Sequence, residues 1–324
     1  MTSDRTSTFQ RNLKLEALLK TLNASIAETR MTETAAVPLP PLFILGTPRS
    51  GTTYCMQWLA ATGAFSYPSN LISRFWKAPY IGAICQEMFT NPEFDFRGEF
   101  ADLSFHDPEQ RSELGKTQGL LSPNEFWYFW RAIFPGDDDI GIDLSSATDS
   151  QFTEFTQKLH DFASVREKPV ATKGMIVNHQ LGPFAKGVPG ALFLHLDRDP
   201  HASAWSLLRA RERMHGDQNT WYSFKTPNRH DLTSLPAPQQ VMGQIETIRN
   251  DLRQQLNDLP QDRWLSLDYA ELCGDPEGSF EKLRALYAAR GTSLDGANAL
   301  APAKVSRPDI PDDITRAFNG YLSR

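Results

Sequence analysis

Apolar residues along this chain keep switching between two spacings. Largely apolar runs stand at 41–45, 191–196 and 264–267, and a mixed one at 168–173 ends in Lys173-Gly174. Short runs bounded by Gly, Pro, Asp or Arg read as buried strands. Between them the apolar positions fall three and four apart, as on one face of a helix. Met56, Leu59 and Ala60 follow the first run, and Phe152, Phe155, Leu159 and Phe162 precede the run at 168–173. Asp199-Pro200 and Asp275-Pro276 each pair an N-cap with a proline suited to the first helical position, predicting helices through about 214 and to near Gly291. A further helix is expected over 239–256. Strands alternating with helices predict an α/β fold with a central parallel sheet, helices on both faces, and a site at the carboxyl ends of the strands.

Several stretches depart from this rhythm. Leu15, Leu18, Leu19, Leu22 and Ile26 share a helical face within 12–30, followed by a small-residue and Pro-rich connector. Residues 1–40 are therefore expected to be an N-terminal helical extension, packed on its own domain or pairing two copies as a homodimer, and 41–324 the main domain. From 65 to 135 the chain is irregular, rich in aromatics and prolines, with helical patches at 81–89 and 124–134. Such an insertion is expected to form the wall or lid of a pocket. Residues 137–139 and 216–240 read as solvated loops. The tail from 301 carries Lys304, Ser306 and Arg307 before further prolines.

The chemistry concentrates where the first strand ends. Gly46-Thr-Pro-Arg49-Ser-Gly-Thr-Thr53 is a glycine-rich turn between strand and helix, which aims backbone N–H groups and the positive helix end at one point. It lies one residue from the G-x-x-x-x-G-K-[ST] triphosphate pattern: Thr52 stands where the lysine belongs. The cation is Arg49, inside the turn. A second anion site is expected at Arg198 and Ser206. Arg198 closes a strand, and Ser206 lies nearly two helical turns beyond the cap Asp199, on the face of the helix entrance. Alone, Arg198-Asp-Pro reads equally as capping and ion pairing; with the loop, it implies a ligand carrying two separated anionic groups.

At these residues the chain resembles the sulfotransferases that use 3′-phosphoadenosine 5′-phosphosulfate. Residues 46–53 look like that family's 5′-phosphosulfate loop, and Arg198-Asp-Pro with Ser206 looks like its 3′-phosphate motif. Leu267-Asp268-Tyr269-Ala-Glu-Leu is similar to its Tyr-Glu-Asp-Leu segment, and Lys304-Val-Ser306-Arg307 is similar to its C-terminal nucleotide-closing loop. The resemblance implies a P-loop NTPase-like three-layer fold and transfer of a sulfuryl group to a hydroxyl or amine, leaving 3′,5′-adenosine bisphosphate without need of a metal. Pro48, Arg49, Ser50, Gly51, Thr52, Thr53, Arg198, Ser206, Tyr269, Lys304, Ser306 and Arg307 would then hold the donor.

Lys173 is positioned like a lysine that relatives place beside the moving sulfonate, although a surface lysine at a strand end fits equally. Relatives carry a glutamate about twenty residues after the loop; residues 67–74 contain no carboxylate. Glu125, directly before the aromatic run 126–130, is the first substitute as general base, since an acid among aromatics is costly unless paired or used. His106 and His179 follow, an ordinary hydrogen-bonded role being the plainer reading for each of the three. The aromatic run, with Asn70, Arg74 and Trp76, could build an apolar acceptor pocket or simply pack the core.

Length and composition set the outer limits. The chain's 324 residues, 40% hydrophobic and 22% charged, are ample for a globular core. A net charge of -6 argues against a nucleic-acid partner. Cys55, Cys85 and Cys273 lack metal-ligand spacing and suit reduced thiols in the cytoplasm. No apolar run is long enough to span a membrane. The acceptor, whether small molecule, lipid or carbohydrate, leaves no mark. A small-molecule P-loop kinase and a non-catalytic nucleotide-binding relative remain as alternatives.

Overall fold

The computed structural model describes residues 12–31, 38–95, 97–98, 112–134, 136, 141–305 and 307–323. In chain order its elements are α1 (Leu13–Ser25), β1 (Leu42–Gly46), α2 (Thr52–Ala61), α3 (Pro79–Thr90), β2 (Ser112–Glu113), β3 (Lys116–Thr117), α4 (Trp127–Ile133) and α5 (Asp149–Ser164). There follow β4 (Ala171–Lys173), α6 (Leu181–Gly187), β5 (Leu192–Asp197), α7 (Pro200–His215), α8 (Arg229–Thr233) and α9 (Ala237–Asn257). The chain closes with β6 (Trp264–Asp268), α10 (Tyr269–Gly274), α11 (Pro276–Ala288) and α12 (Asp312–Leu322).

β4, β1, β5 and β6 pair in that order, all parallel. β1 is central and wholly buried. Because side chains alternate along a strand, Phe43 and Leu45 enter one core with Trp130, Phe155, Phe184 and Phe193, while Leu42 and Ile44 enter another with Met56, Trp58, Leu283 and Tyr287. Two cores, one on each face, are what the near-continuous apolar strands require. The register then determines the site. Ile44 pairs with Lys173, Gly46 with Leu196, and Asp197 with Asp268. The phosphate-type loop, Lys173, Arg198 and Tyr269 thus leave the same edge of the sheet.

The insertion is tied to the sheet at β4. Ser66 bridges Val170 in parallel beside β4, and the β2–β3 hairpin is held by Asn70, whose Nδ2 donates to Thr117 Oγ1 and the Gly119 carbonyl. α1 packs on the insertion: Asn23, buried, donates to the Arg74 carbonyl and accepts from the Lys77 N–H. Leu19 reaches the first core, but Leu13 and Leu18 stay 68% and 66% exposed, so Leu18 leaves the expected stripe.

Two segments differ from the expectation. Residues 216–240 are not a plain surface loop: they contain α8 and bury Phe224, Thr226 and Leu232. The cause is Arg211 of α7, fully buried, which donates to Gln218 O, Gln240 Oε1 and Gln244 Oε1, while Gln244 Nε2 holds the carbonyls of Tyr222 and Phe224. The tail also forms a helix, α12, because Ile314, Phe318 and Tyr321 recur at helical spacing and pack on α7 and α9. Among the described residues no helix is long and apolar enough to cross a membrane.

Candidate active site

The turn between β1 and α2 has the backbone geometry expected of an anion cradle. Arg49 (φ 67°) and Gly51 (φ 99°) both take left-handed backbone conformations, and no side chain caps the first turn of α2. Its first N–H groups are therefore free of a local acceptor. Gly51 is needed for space as well: a Cβ there would run into the Tyr269 ring. Ser50 is buried, and its Oγ has no hydrogen-bond partner among the described residues. The Thr52 hydroxyl faces Met175 Sδ at 3.2 Å.

Two guanidinium groups bracket the turn. Arg49 Nε donates to Ser206 Oγ at 3.0 Å, and Arg198 Nη1 donates to the Arg49 carbonyl at 2.9 Å. Arg198 also lies 4.7 Å over the Tyr269 ring. Burial, and secondarily the Arg198 charge, lower the Arg49 pKa against the opposing pull of Tyr222 and Glu125. Neither guanidinium has a carboxylate partner among the described residues. Ser206 does not line the cavity below; it orients Arg49 instead.

Lys173, 3% exposed at the end of β4, donates to Thr53 Oγ1 at 2.8 Å and to Glu125 Oε1 at 2.9 Å. The cation that the turn lacks in sequence thus reaches it from the neighbouring strand. Glu125 Oε2 accepts from Trp127 Nε1 at 2.8 Å, so the carboxylate is clasped from both sides. Phe126, with φ 61°, makes the sharp entry into α4 that turns Glu125 and Trp127 inward.

These groups open into one cavity of about 580 Å3. Pro48, Arg49, Gly51, Thr52, Thr53, Arg198 and Tyr269 form its cationic end, with Lys173 and Glu125 between that end and an aromatic wall. The wall comes largely from residues the sequence reading passed over: Met214 and His215 at the end of α7, and Trp221, Tyr222 and Phe224 just after it. The signal was an aromatic run inside a stretch otherwise polar. Leu114 and Gly115, at the tip of the β2–β3 hairpin, close another side, and Tyr222 Oη donates to the Leu114 carbonyl at 3.4 Å.

Other expected residues lie elsewhere. Phe126, Phe129 and Trp130 are core, and of the aromatic run Trp127 faces the cavity. Asn70 holds the hairpin, Arg74 is exposed, and Trp76 stacks on Tyr128. His179 pairs with Asp251 beside a second cavity. Lys304 and Arg307 are exposed and absent from the cavity lining. His106 and Ser306 lie outside the described residues.

Fold and site together define an α/β protein of phosphate-loop type, with an anion cradle at one end of a cavity and an aromatic chamber at the other. Residues 40–291 match the model of the sulfotransferase family, and the chain belongs to that family. It is 26% identical over 266 residues to the proteins named omega-hydroxy-beta-dihydromenaquinone-9 sulfotransferase Stf3 of Mycobacterium bovis and Mycobacterium tuberculosis. That match takes in 75% of this chain, which spans 61% of the relatives' length. Among solved structures, sulfotransferase STF9 from Mycobacterium avium superposes with a TM-score of 0.49 at 15% identity, over 96% of this chain and 72% of that one. STF1 from Mycobacterium tuberculosis gives 0.47 at 14% identity, over 94% and 75%.

Proposed function

We propose that the protein transfers a sulfuryl group from 3′-phosphoadenosine 5′-phosphosulfate to a hydroxyl held in the aromatic chamber. The observation that carries this is the Lys173–Glu125 pair, which reaches Thr53 of the anion cradle from the chamber side. A buried cation and a carboxylate adjoin the cradle where an acceptor oxygen must arrive.

The residues present fit such a donor: guanidiniums at Arg49 and Arg198 with no carboxylate partner, a Ser50 hydroxyl with no partner, both among the described residues, and the uncapped N–H groups of α2. When bound, the donor would supply the sulfuryl group, which passes to the acceptor oxygen as its bond to the 5′-phosphate breaks, leaving 3′,5′-adenosine bisphosphate. The protein's own part is positional and electrostatic. Arg49 and the cradle amides hold the charge that grows on the leaving side, and Lys173 neutralises charge near the transferred group. Glu125 exchanges one of its clasping bonds for the acceptor O–H and takes its proton. Tyr269 and Arg198 hold the rest of the nucleotide by stacking and by charge.

Thr53 separates this reading from a kinase. In a triphosphate site its hydroxyl would hold Mg2+, but here it accepts from the Lys173 ammonium, so a metal there would face a like charge in contact. The acceptor is read as a hydroxyl on an aromatic or apolar body of small-molecule or lipid size, a reading supported by the chamber's lining and by the ω-hydroxy compound in the mycobacterial relatives' name. Calorimetry decides the donor. Tight binding of 3′,5′-adenosine bisphosphate without Mg2+ is expected; tight Mg-ATP binding with none of the bisphosphate would sink the proposal. Transfer of label from radioactive donor to an alcohol panel separates an enzyme from a non-catalytic binder.

A further inference from the structure

The β2–β3 hairpin grips Glu125 at both of its ends. On the backbone side, Asn124 Nδ2 donates to Asn70 Oδ1 at 2.8 Å, and Asn124 Oδ1 accepts from the Phe126 N–H at 2.9 Å. Asn70 also holds the root of the hairpin, where Thr117 Oγ1 donates to the Pro123 carbonyl at 2.7 Å. The peptide that carries Glu125 and the hairpin root are one hydrogen-bonded unit.

At the other end the hairpin tip meets the carboxylate. Leu114 (φ 49°) and Gly115 (φ 89°) both lie in the left-handed region, as a tight two-residue turn of this kind requires. Leucine seldom adopts that conformation, so contacts outside the turn must hold it. Glu113 pairs with Arg213 of α7 largely in solvent, where an ion pair contributes little. The firmer tie is the Tyr222 hydroxyl, which donates to the Leu114 carbonyl from the acceptor wall. Gly115 itself lies against the site. A Cβ built there would stand 3.1 Å from Glu125 Oε1 and 3.8 Å from Thr53 Oγ1. Glu125 could give way to it only by surrendering a bond, since Oε1 is held by Lys173 and Oε2 by Trp127. The tip therefore joins three parts of the site: the Tyr222 wall, the Glu125 carboxylate and Thr53 of the cradle.

We propose that this tip is a strut that positions the general base, with Gly115 and the Tyr222 hydroxyl as positioning residues that act through Glu125. The assignment rests on the reading of Glu125 as the proton acceptor. Gly115 leaves the carboxylate room to stay in its clasp, and Tyr222 ties the tip to the wall on which the acceptor lies. An acceptor on that wall then meets a base already aimed. The gain is one of orientation, not of added binding, so its loss belongs in kcat and not in KM.

The test uses the full chain, radioactive donor and the alcohol that it labels fastest. Tyr222→Phe keeps the ring and removes the tie; kcat is expected to fall about tenfold, with acceptor KM within about twofold. Gly115→Ala should lower kcat about 100-fold. Combined with Glu125→Gln, each change should cost less than about twofold more, because no base remains to be misaimed. The Trp127 indole N–H resonance, assigned by its loss in Trp127→Phe, reports the bond to Glu125 Oε2 without any turnover, and should move in both variants. If Gly115→Ala does not fold, Tyr222→Phe decides alone. A moved Trp127 resonance, in a protein whose parent labels no alcohol, would support the strut and sink the sulfotransferase reading. Equal losses with and without Glu125→Gln, or a Trp127 resonance unmoved in Tyr222→Phe, would overturn the strut and leave transfer itself in place.

Discussion

The Lys173 ammonium stands 2.9 Å from Glu125 Oε1, joining the end of a sheet strand to the start of a helix in the insertion. Lys173 is 4% exposed and Glu125 32% by side chain, so the pair has a dry end at the sheet and a wet end at the cavity. That asymmetry suits a carboxylate that must release a partner to meet an acceptor while its cation stays fixed.

Glu125→Gln keeps the size and removes the base. Turnover is expected to fall by about 10²–10⁴-fold, with bisphosphate affinity changed only a few-fold. Lys173→Met should cost about 10²–10³-fold in kcat and leave Glu125 without its ion partner. Single-turnover label transfer and calorimetry on the same preparations separate the two effects. Turnover near that of the parent in Glu125→Gln would remove it from the proton-accepting role.

Arg49 and Arg198 are predicted to divide binding from catalysis. Arg49→Ala should reduce kcat more than nucleotide retention, because its Nε is already held by Ser206 and the residue lines the cationic end of the cavity. Arg198→Ala should chiefly weaken the bisphosphate, by about 1.5–3 kcal/mol for a lost charged hydrogen bond. Ser206→Ala should act in the same direction as Arg49→Ala, but less. Calorimetry beside steady-state rates tests the division, and equal small effects of both arginine changes would refute it.

Gly51→Ala meets two obstacles. Its backbone sits at φ 99°, and its Cβ would strike the Tyr269 ring. The conformation alone costs about 1–3 kcal/mol. Bisphosphate binding is expected to be lost while the far-UV circular dichroism of the fold persists. Adding Tyr269→Ala should recover part of the melting temperature, the part due to the clash, and leave the part due to the backbone. No recovery at all would mean the ring does not limit that position.

Arg211 holds the aromatic wall from behind. It is fully buried, and burial lowers its pKa to about 10. Its hydrogen bonds go to amide oxygens and a loop carbonyl. Arg211→Met would leave Gln240 and Gln244 acceptors unpaired, at about 1–3 kcal/mol each. A lower melting temperature and a raised acceptor KM, with bisphosphate affinity kept, are expected. Arg211→Lys should restore little, since an ammonium cannot reproduce the fork. An unchanged acceptor KM would detach Arg211 from the wall.

His195 in β5 makes stability depend on pH. Burial pushes its pKa from the usual 6.5 to about 4, with Arg253 and Arg249 acting the same way against Asp197. The unfolded chain binds this proton first, so the contribution of the neutral ring is complete above pH 6.5 and is lost as pH falls towards 4. The loss amounts to roughly 3 kcal/mol. Chemical denaturation between pH 4 and 7 should show this slope in the parent and a flatter one in His195→Gln. Identical slopes would assign the acid sensitivity to other groups.

Much of the scaffold was legible locally. The apolar runs at β1, β5 and β6, the Asp-Pro caps of α7 and α11, and the glycine turn from β1 into α2 are each set by neighbours in sequence, and each was found near its place. The helix α12 was also legible, in the spacing of Ile314, Phe318 and Tyr321, but the prolines before it drew the reading away. The aromatic wall at 221–224 was not legible. Its placement depends on Arg211, Gln240 and Gln244, which reach it across the fold rather than along the chain.

The amino-acid sequence by itself determined the parallel sheet, the glycine turn without its lysine, and the arginine that follows β5. Those features follow from residue spacing, backbone freedom at glycine and helix capping, all of them short-range. Only the tertiary structure decided that Lys173 reaches Thr53, that Ser206 serves Arg49, and that Glu125 is clasped beside them. These meetings arise from strand register and from an insertion folded back over the sheet edge, and long-range register is written in the sum of two cores, not in any local motif.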